Sequence, residues 1–375
     1  MNKNMTIAIV VGLMVFYAAG TAFIVLADTS ESTDLDINII ARCNINGSGI
    51  FADVPLTLDP TTPEEVAAWG GLVFMTPGAS SIQHFMLNRF VVDELGMEFV
   101  MYTGTTSPNK VYWTPIAPVL MKQTYLDNAG IYNGGFPWDP FYAEIRVELG
   151  ITLPTFISSA DMEQDHPCCV VAAKASYLSS NEGAVLRFLS AYTEALEWVS
   201  TALTDVTSSD YSKLMEITTK FTGIKNTTIL SEAFKGLTYM YELDTPLGRP
   251  LEECTEDLIV SFGALGIITK PVDDPTAFAK EFINHRFMDR IIDEGRTETY
   301  PSRMITIRVG HLVGDIHQIG LVAGMELGLF EKYGVKLITV QVANGPAVMS
   351  LFQLGVIDIG ILGLPPAVSN TANFR

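Results

Sequence analysis

The stretch 304–375 at the C-terminal end constrains the fold more than any other part of the chain. Short aliphatic runs around Val309, Leu337 and Ile359 alternate with two amphipathic runs, and the first of these carries glycine at every fourth residue. This alternation predicts strand, helix, strand, helix and strand, the order of a parallel sheet. Strands in such a sheet are continuously hydrophobic because helices cover both faces. The stretch therefore predicts a βαβ unit of the kind that opens an α/β domain, although it stands at the end of the chain.

Length and charge limit the classes of function. The chain has 375 residues, which is enough for two lobes with hydrophobic cores of their own. It carries 42 acidic and 23 basic side chains, and its formal net charge is −19. We do not expect nucleic acid as a partner, because phosphate binding requires clustered lysine and arginine. Such acidity favours solubility in a salty or extracytoplasmic medium.

The N-terminal run Met5–Ala27 is apolar and contains no charged side chain. It is long enough to span a bilayer, and Val25–Ala27 also offers a small-residue site for cleavage of an export signal. Both alternatives stay open, and the length favours an uncleaved membrane anchor. The polar stretch Asp28–Asp36 that follows is typical of a solvated linker. On either alternative, the rest of the chain is expected outside the cytoplasm.

The middle of the chain predicts further strands and helices in the same α/β pattern. Ile37–Asp53 contains two strand-like runs separated by turn residues. Ser80 and Gln83 have the spacing of a capping box at the start of a helix. Asn181 is predicted to cap a long amphipathic helix, and one further helix is predicted over 275–294.

The cysteines and histidines show no spacing that is typical of a metal site. Cys43, Cys168, Cys169 and Cys254 form no CxxC pair and no zinc-like pattern with histidine. The adjacent Cys168 and Cys169 lie in the hydrophobic run 166–178 and are interpreted as small buried apolar residues. No nucleophile–base motif, phosphate-binding loop or GxGxxG motif is present. We therefore expect no metal, no cofactor and no catalytic site.

Many short motifs are spread over nearly the whole chain after its linker. They are Val309–Gly310, Asp315–Gln318, Glu326–Gly334, Gly355–Gly360 and Gly363–Ala367 near the C-terminus, and Asn46–Ser48, Thr76–Gly78, Ser81–Gln83, Trp138–Phe141 and His166–Cys169 before them. Together they resemble the solute-binding proteins of ABC transporters of the nitrate/taurine/alkanesulfonate type, a family that also includes pyrimidine-precursor binders. The resemblance implies an α/β, two-lobed, periplasmic-binding-protein-like fold of type II.

The order of these motifs departs from that of the family. The unit 304–375 usually comes first and leads directly into the stretch placed here at 37–53. We interpret the difference as a circular permutation, which exposed loops tolerate when the original termini lie close. The alternative is a tandem protein whose second copy is truncated, but its first copy would then expose unpaired strand edges. The permutation predicts that Ile357–Ile361 shares a sheet with Ile37–Cys43.

This interpretation divides the chain between two lobes. The predicted segments are 1–27 for the signal or anchor, 28–36 for the linker, 37–60 for part of lobe 1, 61–165 for lobe 2, 166–295 for the helical part of lobe 1, 296–303 for the permutation linker and 304–375 for the first βαβ unit of lobe 1. Hinges near Asn46–Ser48 and His166–Pro167 would let the lobes close on a ligand.

The ligand of a two-lobed binder is expected at strand carboxyl ends and helix N-termini. Backbone N–H groups at three predicted helix starts, Ser80–Ser81, Asp315–Gln318 and Gly363–Pro366, favour an anionic group. The position of His317 in its motif implies ligand contact, and Trp138 is interpreted either as a platform for a planar ligand or as core packing. The candidate ligand-binding residues are Asn46, Ser48, Ser80, Ser81, Trp138, Asp315, His317, Gly363 and Pro365.

The resemblance implies an extracytoplasmic solute-binding component of an ABC importer. It would capture a small anionic, sulfonate-like or nitrate-like solute and deliver it to the permease. The expected partners are the solute, the transmembrane permease subunits and, through the N-terminal segment, the membrane. The alternative is a pyrimidine-precursor (thiamine-related) binding protein or a synthase-like enzyme. Cys168–Cys169 is a poor counterpart of the cysteine and histidine cluster of such synthases, and the predicted export also argues against that role.

Overall fold

The computed structural model describes residues 35–128, 130–244 and 249–375, together with the backbone of two short paired strands within 16–23. Apart from that pair, the predicted anchor or export signal and most of the linker after it lie outside the described residues. Both therefore stay predictions. None of the helices that are described is long and apolar enough to cross a bilayer.

Strands and helices alternate along the described chain, and the predicted α/β class is confirmed. The strands are β1 (Phe16–Ala18), β2 (Thr21–Phe23), β3 (Ile37–Arg42), β4 (Asn44–Asn46), β5 (Gly49–Ala52), β6 (Val73–Thr76), β7 (Glu98–Met101), β8 (Lys110–Pro115), β9 (Gly134–Gly135), β10 (Thr155–Ser158), β11 (Cys169–Lys174), β12 (Leu237–Tyr239), β13 (Ile305–Leu312), β14 (Val335–Val342) and β15 (Ile359–Gly363). The helices are α1 (Pro63–Ala67), α2 (Ile82–Arg89), α3 (Pro118–Asp127), α4 (Phe141–Leu149), α5 (Ser159–Met162), α6 (Ala175–Ser180), α7 (Glu182–Thr204), α8 (Ser209–Thr222), α9 (Thr227–Lys235), α10 (Leu251–Ala264), α11 (Pro275–Phe282), α12 (Arg286–Asp293), α13 (Ile319–Glu326), α14 (Leu329–Lys332), α15 (Gly345–Gln353) and α16 (Leu364–Phe374). A π-helix, Phe90–Glu94, continues α2, and a 3-10 turn, Ile316–Gln318, precedes α13.

The sheet of lobe 1 has five strands in the order β14-β13-β15-β11-β3. Strand β13 is parallel to both β14 and β15, whereas β11 is antiparallel to both β15 and β3. The C-terminal strand β15 and the strand β3 are therefore separated only by β11. This confirms the prediction that the two distant segments share one sheet. The circular permutation from which that prediction came stays an interpretation.

The last residue of the chain lies beside the start of lobe 1. The guanidinium group of Arg375 forms an ion pair with Asp36, and its Nη2 lies 3.5 Å from the carbonyl oxygen of Ile37. Residues 36 and 375 are therefore neighbours in space.

The sheet of lobe 2 has six strands in the order β10-β5-β9-β6-β8-β7. Strands β9, β6, β8 and β7 are parallel neighbours that end at the edge strand β7, and β5 is antiparallel to both β9 and β10. The predicted boundary of lobe 1 at residue 60 is therefore wrong for Gly49–Ala52, because this strand pairs within lobe 2. The chain passes from one sheet to the other at residues 43–48, before the predicted boundary.

The helices of lobe 1 follow the sequence pattern with two exceptions. Helix α7, Glu182–Thr204, begins after Asn181 and buries its apolar face as predicted, but the side chain of Asn181 makes no capping bond and instead donates to the carbonyl of Tyr177 at 3.2 Å. The single helix predicted over 275–294 is instead two helices, α11 and α12. They are separated at Asn284, whose N–H donates a hydrogen bond to the carbonyl of Ile39 at 2.8 Å. A bond to strand β3 thus replaces a bond within the helix.

Two segments, 43–48 and 159–168, connect the lobes within the described chain. They hydrogen-bond to one another, because the N–H of Asn46 donates to the carbonyl of His166 at 3.1 Å. Gly47 follows with a φ of +91°, in the left-handed region that favours glycine. Both predicted hinges lie in these two segments, and hinge motion stays a prediction.

Candidate functional site

A cleft opens between the two sheets, at the carboxyl ends of their parallel strands. Its cavity has a volume of about 70 Å³, and the figure rises to about 530 Å³ when the open solvent at its mouth is included. Residues that follow β6, β13, β14 and β15 line the cleft, and so does the start of β11, which is antiparallel to β15. Ligands of α/β proteins generally bind at this edge of a sheet.

On the side of lobe 2, the cleft meets the N-terminus of α2. Ser81 is the N-cap: its hydroxyl oxygen accepts a hydrogen bond from the N–H of His84 at 3.2 Å and donates to the carbonyl of Gly78 at 2.8 Å. The cap predicted at Ser80 is therefore wrong by one residue. Both serines nevertheless line the cleft.

On the side of lobe 1, two more helices begin at the cleft. Asn344 caps α15, since its Oδ1 accepts a hydrogen bond from the N–H of Ala347 at 3.0 Å. Gly363 occupies the N-cap of α16 and is followed by prolines in the first turn. Three helix N-termini thus meet at one cleft, and their dipoles favour negative charge there.

The loop after β13 places a buried carboxylate beside a buried imidazole. Asp315 caps the 3-10 turn, and its Oδ1 accepts from the N–H of His317 at 3.0 Å. The Nδ1 of His317 lies 3.4 Å from that same oxygen, and its Nε2 lies 2.9 Å from the carbonyl oxygen of Gly47. Burial raises the pKa of Asp315 to about 6, although the charge of His317 acts in the opposite direction. Both side chains line the cleft.

Two cysteines at the start of β11 approach the same imidazole. The Nδ1 of His317 is 3.4 Å from Sγ of Cys168 and 3.9 Å from Sγ of Cys169. Hydrogen bonding from Cys169 and the charge of His317 hold the pKa of Cys168 well below its usual value despite burial, whereas that hydrogen bond and burial raise the pKa of Cys169. Burial alone would lower the pKa of His317, but the charges of Cys168 and Asp315 raise it to about 10. Ionisation of Cys168 and protonation of His317 therefore favour each other.

Gly47 joins this cluster to the loop that carries Trp138. Its carbonyl oxygen accepts hydrogen bonds from Nε2 of His317 at 2.9 Å and from the N–H of Asp139 at 2.8 Å. Burial raises the pKa of Asp139 to about 7, and the charge of His317 opposes that shift. The Oδ1 of Asp139 also accepts from the N–H of Ala143 at 3.0 Å. Gly47, in the connecting segment 43–48, is therefore hydrogen-bonded both to His317 in lobe 1 and to Asp139 in lobe 2.

Trp138 lines the cleft, and its indole N–H is buried without a hydrogen-bond partner among the described residues. The side chain is only 9% exposed, and buried indole N–H groups usually donate to an acceptor. Trp138 also packs in the main hydrophobic core. Its two predicted roles, core packing and ligand contact, are therefore compatible.

The cleft brings together six of the nine predicted binding residues: Ser80, Ser81, Trp138, Asp315, His317 and Gly363. The other three do not line it. Asn46 and Ser48 lie in the connecting segment 43–48, where Oγ of Ser48 accepts from the side-chain amide of Gln83 at 2.8 Å. Pro365 is buried one position before Pro366, which does line the cleft. Contact of these three residues with a ligand stays a prediction.

Sequence reasoning missed several lining residues. Asn344 follows the second strand of the C-terminal unit, so the rule for strand carboxyl ends could have found it. Cys168 and Cys169 were interpreted as inert core residues because spacing along the chain does not show which histidine the fold will bring near. In the structure, one ligand atom each from Cys168, Cys169 and His317 lie within 4.8 Å of one another. The local sequence held no signal for that cluster.

A second buried histidine, His311 on β13, gives a prediction about acid sensitivity. Neither ring nitrogen makes a hydrogen bond of good geometry within the described chain, and burial lowers the pKa of His311 to about 4. An unfolded histidine titrates near 6.5, so the unfolded chain is protonated first as the pH falls. We expect this residue alone to cost about 3 kcal/mol of stability between pH 6.5 and 4. Urea unfolding at pH 7 and pH 4 should show that the His311→Leu variant does not lose this stability in acid.

The control for this prediction is a core substitution that does not titrate. Val309→Ala, on the same strand, should lower stability equally at both pH values, because no charge changes. Should His311→Leu lose as much stability in acid as the unsubstituted protein, His311 would not be the titrating group.

No protein-family model matches the chain, and no curated protein matches it. Solved structures to which it is similar include the periplasmic aliphatic sulphonate binding protein SsuA from Escherichia coli, with 16% identity over 67% of this chain and 70% of that chain and a TM-score of 0.45. The periplasmic nitrate-binding protein NrtA from Synechocystis PCC 6803 is 14% identical over 69% of this chain and 67% of that chain, with a TM-score of 0.47. The alkanesulfonate-binding protein SsuA from Xanthomonas axonopodis pv. citri, bound to MOPS, is 12% identical over 65% of this chain and 73% of that chain, with a TM-score of 0.38.

Proposed function

We propose that this protein is the extracytoplasmic solute-binding component of an ABC importer, which captures a small solute between its lobes and delivers it to a permease. The observation that carries the proposal is the position of the cleft, between two sheets and at the starts of three helices. Two adjacent connecting segments join the lobes in the described part of the chain. Such connections permit closure of the lobes around a ligand.

The donors at the cleft favour a small oxyanion, such as a sulfonate, nitrate or carboxylate. The N-termini of α2, α15 and α16 offer backbone N–H groups with a favourable dipole, and Trp138 offers an indole N–H without a partner in the described structure. None of the described residues that line the cleft is lysine or arginine. Helix dipoles would therefore balance the charge of the solute.

An enzyme acting on a pyrimidine precursor is the second candidate, and one observation favours it. A Cys168 thiolate that lies 3.4 Å from the imidazole of His317 has the environment of an activated nucleophile. Both thiols, however, are at most 4% exposed, and reactive cysteines are generally more accessible. We therefore prefer capture of a solute to catalysis.

The capture proposal predicts a specific loss on substitution of Trp138. The full-length protein, kept in mild detergent, should bind one class among taurine, an alkanesulfonate, nitrate and an aminopyrimidine, and should release it unchanged. Trp138→Phe retains a buried ring but removes the N–H donor, so affinity should fall about tenfold, the contribution of one hydrogen bond to a charged acceptor. Isothermal titration calorimetry measures the affinity, and mass spectrometry of the released compound tests for turnover.

Trp113→Phe, on β8 and outside the cleft lining, is the matched control and should bind the solute with unchanged affinity. Chemical conversion of a bound compound would favour the enzyme over the binding protein. Equal affinity of Trp138→Phe and the unsubstituted protein would mean that the solute does not use this donor.

A further inference from the structure

We infer that Cys168, Cys169 and His317 form a binding site for a thiophilic d10 cation, Zn²⁺ or Cu⁺, on the lobe 1 wall of the cleft. This metal site is separate from the proposed capture of a solute, and it can be tested with the metal ion alone. Both cysteines come from the start of β11, and the histidine comes from the loop after β13. The sheet of lobe 1 brings these two elements to the same edge.

The spacing of the three side chains fits a single ion. Zinc binds thiolate sulfur at about 2.3 Å and imidazole nitrogen at about 2.0 Å, so tetrahedral sulfur and nitrogen ligands lie about 3.5 Å apart. The Nδ1 of His317 lies 3.4 Å from Sγ of Cys168 and 3.9 Å from Sγ of Cys169. One ligand atom from each of the three residues fits within 4.8 Å of the others. An ion could therefore be bound with only small side-chain shifts.

The groups around the cluster hold the ligands in place. The Nε2 of the imidazole lies 2.9 Å from the carbonyl oxygen of Gly47, and metal-binding histidines commonly donate their second N–H to a carbonyl in this way. That bond leaves Nδ1 to face the sulfur atoms. The cysteine backbone is fixed as well, because the N–H of Leu364 donates to the carbonyl of Cys168 at 2.9 Å and the N–H of Cys169 donates to Oδ1 of Asn44 at 3.3 Å.

The donor set selects the class of ion. Thiolate and imidazole favour Zn²⁺ and Cu⁺, whereas Ca²⁺ and Mg²⁺ prefer oxygen ligands. A fourth position remains on the side of the cleft, since Cys168, Cys169 and His317 all line it. The carboxylate of Asp315, with Oδ2 at 4.0 Å from Sγ of Cys169, is close enough to supply that ligand after a small shift.

The test uses the full-length protein, reduced and kept in mild detergent. Equilibrium dialysis against Zn²⁺ followed by metal analysis should give one zinc per chain. Co²⁺ should replace zinc and produce thiolate-to-cobalt charge-transfer bands, and Cu⁺ should compete with a chromogenic chelator under anaerobic conditions. Cys168→Ser and Cys169→Ser should each weaken metal binding at least tenfold and reduce the cobalt band. Either d10 ion bound with sulfur ligation supports the inference.

Cys254→Ser, on α10 and outside the cluster, is the matched control and should keep the full stoichiometry. If circular dichroism shows that a cysteine variant at the cluster does not fold, the cobalt spectrum of the unsubstituted protein tests the site instead. A cobalt spectrum without sulfur ligation would overturn the inference. So would undiminished binding by both folded serine variants, preference for Ca²⁺ or Mg²⁺, or a Cys168–Cys169 disulfide in protein isolated without reductant. Solute binding is measured separately after chelation, so failure of the metal site leaves solute capture independently tested.

Discussion

Gly47→Ala is expected to lower the free energy of unfolding by about 2–4 kcal/mol, the sum of overpacking and backbone strain. A Cβ at this position would lie 2.3 Å from Cδ2 of Leu237 and 2.5 Å from Nε2 of His317. The φ of +91° adds a conformation that alanine rarely adopts. Since His317 would have to leave the carbonyl of Gly47, we also expect affinity for the solute to fall at least tenfold.

Urea unfolding and calorimetric titration measure the two effects of this substitution separately. Gly223→Ala is the matched control, because its φ of +77° imposes similar strain while nothing lies within 4 Å of the added Cβ. This control should lose only about 1 kcal/mol of stability and should keep the solute affinity unchanged. If both variants lost the same stability and neither changed affinity, the contact between Gly47 and His317 would have no role in the cleft.

The parts of the fold that local pattern determines were predictable from sequence. The aliphatic runs around Val309, Leu337 and Ile359 became β13, β14 and β15. The expected burial on both faces holds for β15 and the second half of β13, whereas β14 is an edge strand and is mostly exposed or half-buried. The apolar stripe after Asn181 became α7. The break at Asn284 could not be predicted, because it depends on a hydrogen bond to a strand that lies far away in sequence.

The site residues also fall into two groups, those that local sequence reveals and those that only the fold brings together. Ser81, Asp315 and Gly363 were found because strand ends followed by helix starts can be recognised in the sequence itself. The pairing of His317 with Cys168 and Cys169 could not be found, because it arises where two distant parts of the chain reach one sheet edge. The strand ends in the sequence therefore locate the cleft, but they do not reveal the cluster of cysteines and histidine on its lobe 1 wall.

The pairing of β11 with both β15 and β3 also bears on the order of the segments. A strand near the middle of the chain lies between one from each end, so lobe 1 is complete only when 304–375 packs with the rest. The ion pair between Arg375 and Asp36 joins the same two regions. These contacts support the interpretation as a circular permutation, and they make the C-terminal unit a structural part of lobe 1.

Phe188→Ala tests whether the C-terminal unit and α7 unfold together. Phe188 is fully buried, and its ring centroid lies 6.0 Å from that of Tyr192 on the same helix and 5.3 Å from that of Phe330 on α14. Truncation would leave a cavity between α7 and the C-terminal unit, at an expected cost of about 3–5 kcal/mol. Because that cavity lies between the two regions, we expect hydrogen exchange to accelerate in β13 and β14 as well as in α7.

Urea unfolding with hydrogen exchange measured by mass spectrometry checks both parts of this expectation. Phe374→Ala is the matched control, since this ring is 41% exposed and its removal should cost about 1 kcal/mol or less. If lobe 1 has a single core, we expect one cooperative urea transition whose midpoint shifts for all of lobe 1. If Phe188→Ala instead exposed α7 while β13 and β14 kept their protection, the C-terminal unit would be an independent folding unit, and lobe 1 would not depend on it.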